Sequence, residues 1–323
     1  MSSGNARPAT PSDGGDAVLA AALRAAARTR ALGMHYYGHL LGIASSRPDE
    51  GRPRPHLDPD PAVIPDVVPP VALAAIADLA VGSAVRAALG AGRRLGTASL
   101  TLHHVGSSAR APVRADPTLL WADSDTGDGL ARCDLRDARG ELVGAAQGWF
   151  LALPVPDGRQ LPPLPWEREP APTIEALAEA DLDERERAAV TATLRAHERA
   201  RERGTSTAEE LTSPVWSEST AEGTAQGTMQ VGPEVTNRVG HVQGGALYGI
   251  ALAAAARAVG PGMEVAEGHY QFVRPADGER IVVDGAVLRR GRAAAFAEAS
   301  LSVEGRRVGV ARFAFRPPLG GNG

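Results

Sequence analysis

Residues 237–252 read NRVGHVQGGALYGIAL. A polar loop carrying Asn237, Arg238, His241 and Gln243 runs into Gly244-Gly245, and small apolar residues then continue to Val259. This is the pattern of a loop that opens directly into a buried helix. Paired glycines let another group approach the backbone closely. The first turn of such a helix carries N–H groups without intrahelical acceptors and a partial positive charge. It can therefore hold a developing oxyanion.

A second apolar helix is predicted upstream. Pro69-Pro70 start it, VALAAIADLAVGSAVRAAL fills it, and Gly90 ends it. Val71, Ala74, Ala75, Asp78, Leu79, Gly82 and Val85 fall on or beside one stripe. A carboxylate on that stripe needs a reason, because burying an unpaired charge is costly. Strand-like segments follow at Gly96–Val105, Asp116–Ser124, Gly129–Leu135 and Glu141–Leu153, separated by turn residues as in an antiparallel meander. The plan repeats downstream. Trp216–Val231 reads as a strand, the glycine loop and helix come next, and strands follow at Gly268–Arg274, Arg280–Arg289, Ala293–Val303 and Arg307–Arg316. An internal repeat of this kind is the strongest architectural signal in the chain.

The glycine loop resembles the loop–helix signature of hotdog-fold thioesterases of the PaaI-like group. That signature is an Asn, then His-Gly-Gly a few residues on, then a helix bearing Asp or Glu about two turns later. Asn237 and Gly244-Gly245 match it, Gln243 stands in the place of the His, and Leu252 stands in the place of the acid. Leu40–Ile43, with the phrase Leu-Leu-Gly-Ile, resembles the opening of the same domains and is read as the start of strand-like material. The resemblance and the repeat together imply an α+β fold, a double hotdog of two repeats, each with a long central helix wrapped by an antiparallel β-sheet. The expected organisation is an N-terminal tail and helix (1–33), a first hotdog unit (34–154), a Pro-rich linker and charged connector helix (155–212), a second hotdog unit (213–318) and a short tail (319–323). Asp16 is placed as the cap of the N-terminal helix, and Thr173–Arg203 as the connector helix.

In the family the site forms across a dimer, with the glycine loop of one unit facing the helical acid of the other. Aligning the two helices sets Asp78 opposite Leu252, so each half lacks what the other retains. The resemblance then implies one complete site, built from Asp78 with Asn237, Gln243 and Gly244, with Thr97 or Ser99 able to hold the water. Asp78 is the expected base or nucleophile in acyl-thioester hydrolysis, and Gly244 N–H the expected oxyanion donor. Gly245, His241 and Arg292 are the expected substrate contacts, His241 as a stand-in for the family His and Arg292 as a partner for phosphates. Substrates are acyl-CoA or acyl carrier protein thioesters, and no cofactor or metal is expected. Double hotdogs commonly associate in pairs, so a homodimer is a candidate assembly. Dehydration on the same fold, with Asp78 beside His104 or His241, and non-catalytic acyl binding are the competing readings.

Composition narrows the field. The 323 residues carry a net charge of −4, which gives no electrostatic case for nucleic acid or membrane. All 34 basic residues are Arg, so neither a Walker-type phosphate loop nor Lys Schiff-base chemistry is available. Cys133 is alone, which excludes an intrachain disulfide and a multi-Cys metal site. His35 and His39 have helical spacing without a third ligand, and His103-His104 point to opposite faces of a strand; both pairs are read as structural. Apolar content of 43% with 4% aromatic predicts a core of Ala, Val and Leu. No secretory leader is read at the start, and the longest apolar run, Ala246–Ala256, is too short to span a bilayer, so a cytoplasmic protein is expected.

Overall fold

The computed structural model describes residues 14–33, 35–46, 54–90, 93–106, 108–154, 173–218, 221–237 and 239–319. The expected N-terminal tail up to residue 13, the Pro-rich stretch 155–172, Arg238 and the last residues lie outside the described residues.

The chain begins with α1 (Gly14–Leu32) and α2 (Tyr36–Leu40), followed by β1 (Ile43–Ser46) and β2 (Arg54–Leu57). The first long core helix is α3 (Pro70–Leu89), and strands β3 (Arg94–His104), β4 (Val113–Asp123), β5 (Asp128–Arg136) and β6 (Leu142–Leu153) follow it. The connector supplies α4 (Glu184–Arg203) and α5 (Thr207–Glu210). The second half contains β7 (Val215–Trp216), β8 (Thr224–Gln230), the core helix α6 (Gly244–Val259), and β9 (Glu264–Phe272), β10 (Arg280–Arg290), β11 (Ala295–Val303) and β12 (Arg306–Arg316).

All twelve strands form one sheet in the order β1-β2-β4-β5-β6-β3-β9-β12-β11-β10-β8-β7. The two meanders meet where β3 pairs antiparallel with β9, Thr101 opposite His269. Each half wraps its own helix, and α3 and α6 lie against each other in the middle. They run antiparallel, because Gly245 meets Ala75 while Gly249 meets Val71. A Cβ on Gly245 would stand 2.6 Å from Ala75 N, so the two backbones touch only because residue 245 has no side chain. This is the double hotdog architecture that the repeat predicted.

Small residues dominate the helix seam, with Ala72, Ala74, Ala75, Ala77 and Ala80 all buried. The expected Ala/Val/Leu core is incomplete, however. All four tyrosines are interior, and Tyr37, Tyr248 and Tyr270 are fully enclosed. α3, whose apolar run is interrupted by Asp78, is also long and apolar enough to cross a membrane, but it is mostly buried as the core helix of the first half.

Several element boundaries differ from expectation. α1 already includes Gly14, so Asp16 lies inside its first turn and is not its cap. The connector helix starts at Glu184, not Thr173, because Asp183 accepts the Glu186 N–H at 2.8 Å and Glu186 returns a bond to Asp183 N–H. The stretch 216–231 is broken into β7 and β8, with Gly223 at φ 74° opening the second strand. The start of the first unit is a short helix rather than a strand. His35 caps α2, and β1 begins only after Gly42 turns the chain at φ 72°.

The N-terminal and connector helices pack on each other and on α2. Tyr36 Oη lies 2.9 Å from Thr193 Oγ1 of α4, and Arg30 Nε donates to Glu186 at 2.8 Å. From α4, Arg185 Nη2 donates to Thr236 Oγ1 at 3.2 Å, next to Asn237 in the glycine loop.

Candidate active site

The pairing of β3 with β9 runs from Ser99 to His103 and then stops. Arg94–Ala98 continues beside β6 alone, while the chain after β9 turns away through Val273–Ala276. The resulting gap opens into a cavity of ≈ 430 Å³, walled by α3, β3, β6, the start of α6 and the loop before it. That volume suits a small-molecule group.

Asp78 lies at the bottom, 8% exposed, on the stripe of α3 that faces both the cavity and α6. Thr97 Oγ1 donates to Asp78 Oδ1 at 2.8 Å. Gln243 Nε2 donates to Asp78 Oδ2 at 3.3 Å. The amide of Gln243 cannot turn over, since its Oε1 accepts the Ala246 N–H at 2.9 Å as the N-cap of α6. One side chain therefore closes the helix and presents an N–H to the carboxylate. Burial is the largest influence on Asp78 and raises its pKa from 3.8 to about 6, with the Thr97 bond pulling the other way.

Gly244 is the first residue of α6, and a Cβ there would come within 2.5 Å of Asp78 Oδ2. The carboxylate thus rests directly over the start of the helix. Among the described residues no acceptor is bonded to the Gly244 N–H. The helix dipole places partial positive charge at the same point.

The loop leading to Gly244 is held by Asn237. Its Oδ1 accepts from Val239 N at 3.0 Å and from His241 N at 3.1 Å, and its N–H donates to His241 O at 2.7 Å. Asn237 borders the cavity, but its carboxamide oxygen is engaged in shaping the turn. His241 also borders the cavity, with Nδ1 3.4 Å from Arg94 Nη2. Arg94 can only donate, so Nδ1 is the accepting nitrogen. Burial lowers the His241 pKa, and Arg94 lowers it further.

The structure therefore brings Asp78, Thr97, Gln243 and Gly244 together, with Asn237 and His241 in the surrounding wall. Two expected substrate contacts are elsewhere. Gly245 packs on the backbone of Ala75 and has no part in the cavity wall. Arg292 is exposed in the turn between β10 and β11, also outside the wall. Its neighbour Arg290 donates from Nη2 to Pro261 O at 2.9 Å and so braces the end of α6. Ser99, the alternative to Thr97, is paired with Gln271 at the last rung of the β3–β9 ladder.

The helix alignment also needs correction. Gly90 ends α3 and Gly260 ends α6, each donating its N–H to the carbonyl four residues back, Arg86 O and Ala256 O. Arg94 and Glu264 begin the next strands at the same spacing, and Ala75 meets its own counterpart Gly245 on the pseudo-twofold axis. The same offset carries Asp78 onto Tyr248, one turn before Leu252. Tyr248 is wholly buried, its hydroxyl lies 3.3 Å from His104 Nε2, and its ring meets Phe313 edge-on at 5.3 Å.

Most wall residues were not singled out as site residues from the sequence, His35, Arg94 and Phe150 among them. His35 is the N-cap of α2, the short helix that opens the first unit. Arg94 and Phe150 reach the wall through strand pairing, Phe150 opposite Thr97. Long-range pairing leaves no local pattern by which either could be found.

Comparison with known proteins agrees with this architecture. Residues 233–316 match the model of the family described as acyl-CoA thioesterase N-terminal domain, although here the match lies in the second half of the chain. The tesB protein of Mycobacterium avium subsp. paratuberculosis has a similar structure, with a TM-score of 0.54 at 15% identity, covering 86% of this chain and 96% of that one. A candidate thioesterase II from Thermobifida fusca gives 0.51 at 14%, covering 89% and 99%. Acyl-CoA thioesterase II TesB2 from Mycobacterium marinum gives 0.50 at 12%, covering 87% and 97%. No curated protein matches the chain significantly in sequence. The thioesterase resemblance read from the glycine loop is borne out by the family match, and the double hotdog by the structures.

Proposed function

We propose that the protein hydrolyses acyl-CoA thioesters in the cytoplasm, using one site in which Asp78 of the first half faces the glycine loop of the second. The observation that carries the mechanism is the buried carboxylate held by Thr97 and Gln243 over the first turn of α6. With both oxygens already accepting a fixed bond, Asp78 is better suited to act as a general base than as a nucleophile. Each oxygen keeps a further lone pair for a water.

Asp78 takes a proton from that water as the water oxygen bonds to the thioester carbonyl carbon. The carbonyl oxygen becomes an oxyanion against the Gly244 N–H, where one such donor contributes roughly 3–4 kcal/mol to the transition state. Collapse of the tetrahedral intermediate breaks the carbon–sulfur bond. The thiolate leaves and regains a proton from Asp78 or solvent, giving a carboxylic acid and a thiol. A dehydratase would need a histidine in reach of Asp78. Among the described residues the two candidates are engaged elsewhere, His104 with Tyr248 and His241 with Arg94.

Thiol release should be measured over a panel of short, long and aryl acyl-CoAs. Turnover is expected in wild type, with kcat/KM rising through pH about 6 as Asp78 ionises, and loss of turnover in Asp78→Asn. Absence of thiol release across the panel would refute hydrolysis and favour acyl binding without chemistry.

A further inference from the structure

The sheet has an open edge inside the cavity. Every residue from Arg94 to Ala98 lines the cavity, and this stretch pairs with β6 but not with β9. The neighbouring ladder fixes which of its backbone groups are free. Ala152 N donates to Gly127 O at 2.8 Å, away from β3. In an antiparallel sheet each residue directs its N–H and C=O to one neighbouring strand, and successive residues alternate. Ala152 therefore turns its backbone groups away from its β3 partner Leu95, and Leu95 turns its own away from β6. Thr97, two residues on and still before the bulge at Ser99, does the same. The N–H and C=O of Leu95 and Thr97 thus face the gap, with roughly 7 Å between equivalent atoms. Among the described residues nothing outside the ladder is bonded to them. On the opposite lip Val273 N donates to Val308 O at 2.9 Å, so the alternation turns the backbone of Phe272 into the gap as well.

A row of unpaired backbone donors and acceptors takes up an extended chain that carries amides of its own. Its position says which chain. The edge begins at Thr97, bonded to Asp78, and runs outward through Leu95 to Arg94 and the exposed rim residues Val273 and Arg274. A thioester with its carbonyl oxygen on the Gly244 N–H has two arms, and one of them leaves along this edge. An acyl chain offers no hydrogen bond and would cover these backbone groups without pairing them, which costs free energy. The wall formed by Leu79, Gly82 and Phe150 suits that chain better. The thiol arm of an acyl-CoA is pantetheine. It carries two amides separated by two methylene groups, each amide with one donor and one acceptor.

We propose that the open edge of β3 binds the pantetheine arm as an added strand, the amide nearer the sulfur at Thr97 and the farther one at Leu95. This rests on the thioester-hydrolase reading and adds the residues that recognise the leaving thiol. Octanoyl-pantetheine carries both amides, whereas octanoyl-N-acetylcysteamine keeps only the nearer one. Wild type is expected to favour octanoyl-pantetheine in kcat/KM by about tenfold, the scale of one or two neutral hydrogen bonds. Leu95→Pro deletes the backbone N–H that faces the gap and removes no bond of the ladder. It is expected to cut the preference by about fivefold, while Leu95→Ala, which loses the same side chain, keeps it. Octanoyl-CoA has the same arm and should lose the same factor in Leu95→Pro. A wild-type ratio near one, or equal ratios in the proline and alanine variants, would overturn the proposal. Should Leu95→Pro fail to fold, methylating the farther amide nitrogen of octanoyl-pantetheine makes the test from the substrate side, and an unchanged rate overturns the proposal. If no thioester is hydrolysed, the reaction is at fault and calorimetry decides the contact: S-octyl-pantetheine, a thioether that cannot react, must still bind wild type about tenfold more tightly than S-octyl-N-acetylcysteamine, and equal affinities overturn the proposal.

Discussion

Replacing Asp78 with asparagine is expected to abolish turnover and at the same time to stabilise the protein, with a gain that depends on pH. The carboxyl is buried, and its pKa is raised from 3.8 to about 6. At ~1.4 kcal/mol for each pH unit, the gap between those values means that ionised Asp78 costs the folded state ~3 kcal/mol. The sign follows from proton uptake. Between pH 4 and 6 the folded chain holds a proton at this position that the unfolded chain has lost, so wild-type stability falls as pH rises through that window. Below about pH 4 both states are protonated and the cost disappears. Asparagine does not titrate, and it keeps a carbonyl oxygen for Thr97 or Gln243.

The assay is denaturant or thermal unfolding of both proteins at pH 4 and at pH 7, taken as a difference of differences so that other titrating groups cancel. Relative to wild type, the variant should gain up to ~3 kcal/mol between the two pH values. For a chain of this size each kcal/mol moves Tm by about 2–4 °C, which puts the shift on the order of 10 °C at most. A stability difference that stays flat across the window would show that Asp78 titrates normally, and the base assigned to the reaction would have lost its physical basis.

The two glycines of the loop are expected to separate function from stability. Gly244→Ala pushes a methyl group into Asp78 Oδ2 and should lower kcat by roughly 10²-fold through misplacement of the base, with unfolding little changed. Gly245→Ala drives a methyl into the backbone of Ala75 and should destabilise by about 1–3 kcal/mol, as overpacking does. Thr97→Val removes the bond that lowers the Asp78 pKa, so the acid limb of the kcat/KM profile should move to higher pH; a limb that stays in place would dissociate Thr97 from the base. Gln243→Glu sets a second carboxylate beside Asp78 and should move the same limb upward by like-charge repulsion. Arg292→Ala should leave KM for acyl-CoA unchanged, because the side chain is exposed in the β10–β11 turn outside the cavity wall.

Much of the site could be read from residue types because each one breaks a local rule. An acid on an otherwise apolar helical stripe, as at Asp78, and two successive glycines at a helix start, as at Gly244-Gly245, both demand a partner that propensity does not supply. Asn237 is legible in a humbler sense, as a turn residue whose carboxamide bonds the backbone two and four residues on. What depended on tertiary pairing was not legible. Arg94 meets His241 only because β3 runs past the end of its ladder with β9. Thr97 rather than Ser99 faces Asp78 because a bulge in the β3–β6 ladder separates them. The capping box at Asp183 and Glu186 was present in the sequence and would have placed the start of α4 correctly.

The misplaced helix alignment has one cause, and it supports the proposal of a single site. Counting from the helix starts matches Asp78 to Leu252, but α3 extends a turn further at its N-terminus than α6 does, so only the capping glycines at the other ends give the true register. In that register Gln243 and Gly244 correspond to Leu73 and Ala74, which lie inside α3 and not at its start. Leu73 N–H is already bonded to Pro69 O at 3.2 Å. The extra turn consumes the amide groups that α6 leaves exposed to the cavity, so the pseudo-equivalent position has no oxyanion donor. Tyr248 stands there in place of the acid, wholly buried with its ring edge-on to Phe313. Restoring a carboxylate by Tyr248→Asp would therefore supply a base with nothing to work on. The asymmetry lies in where the two helices begin, and the side chains follow from it.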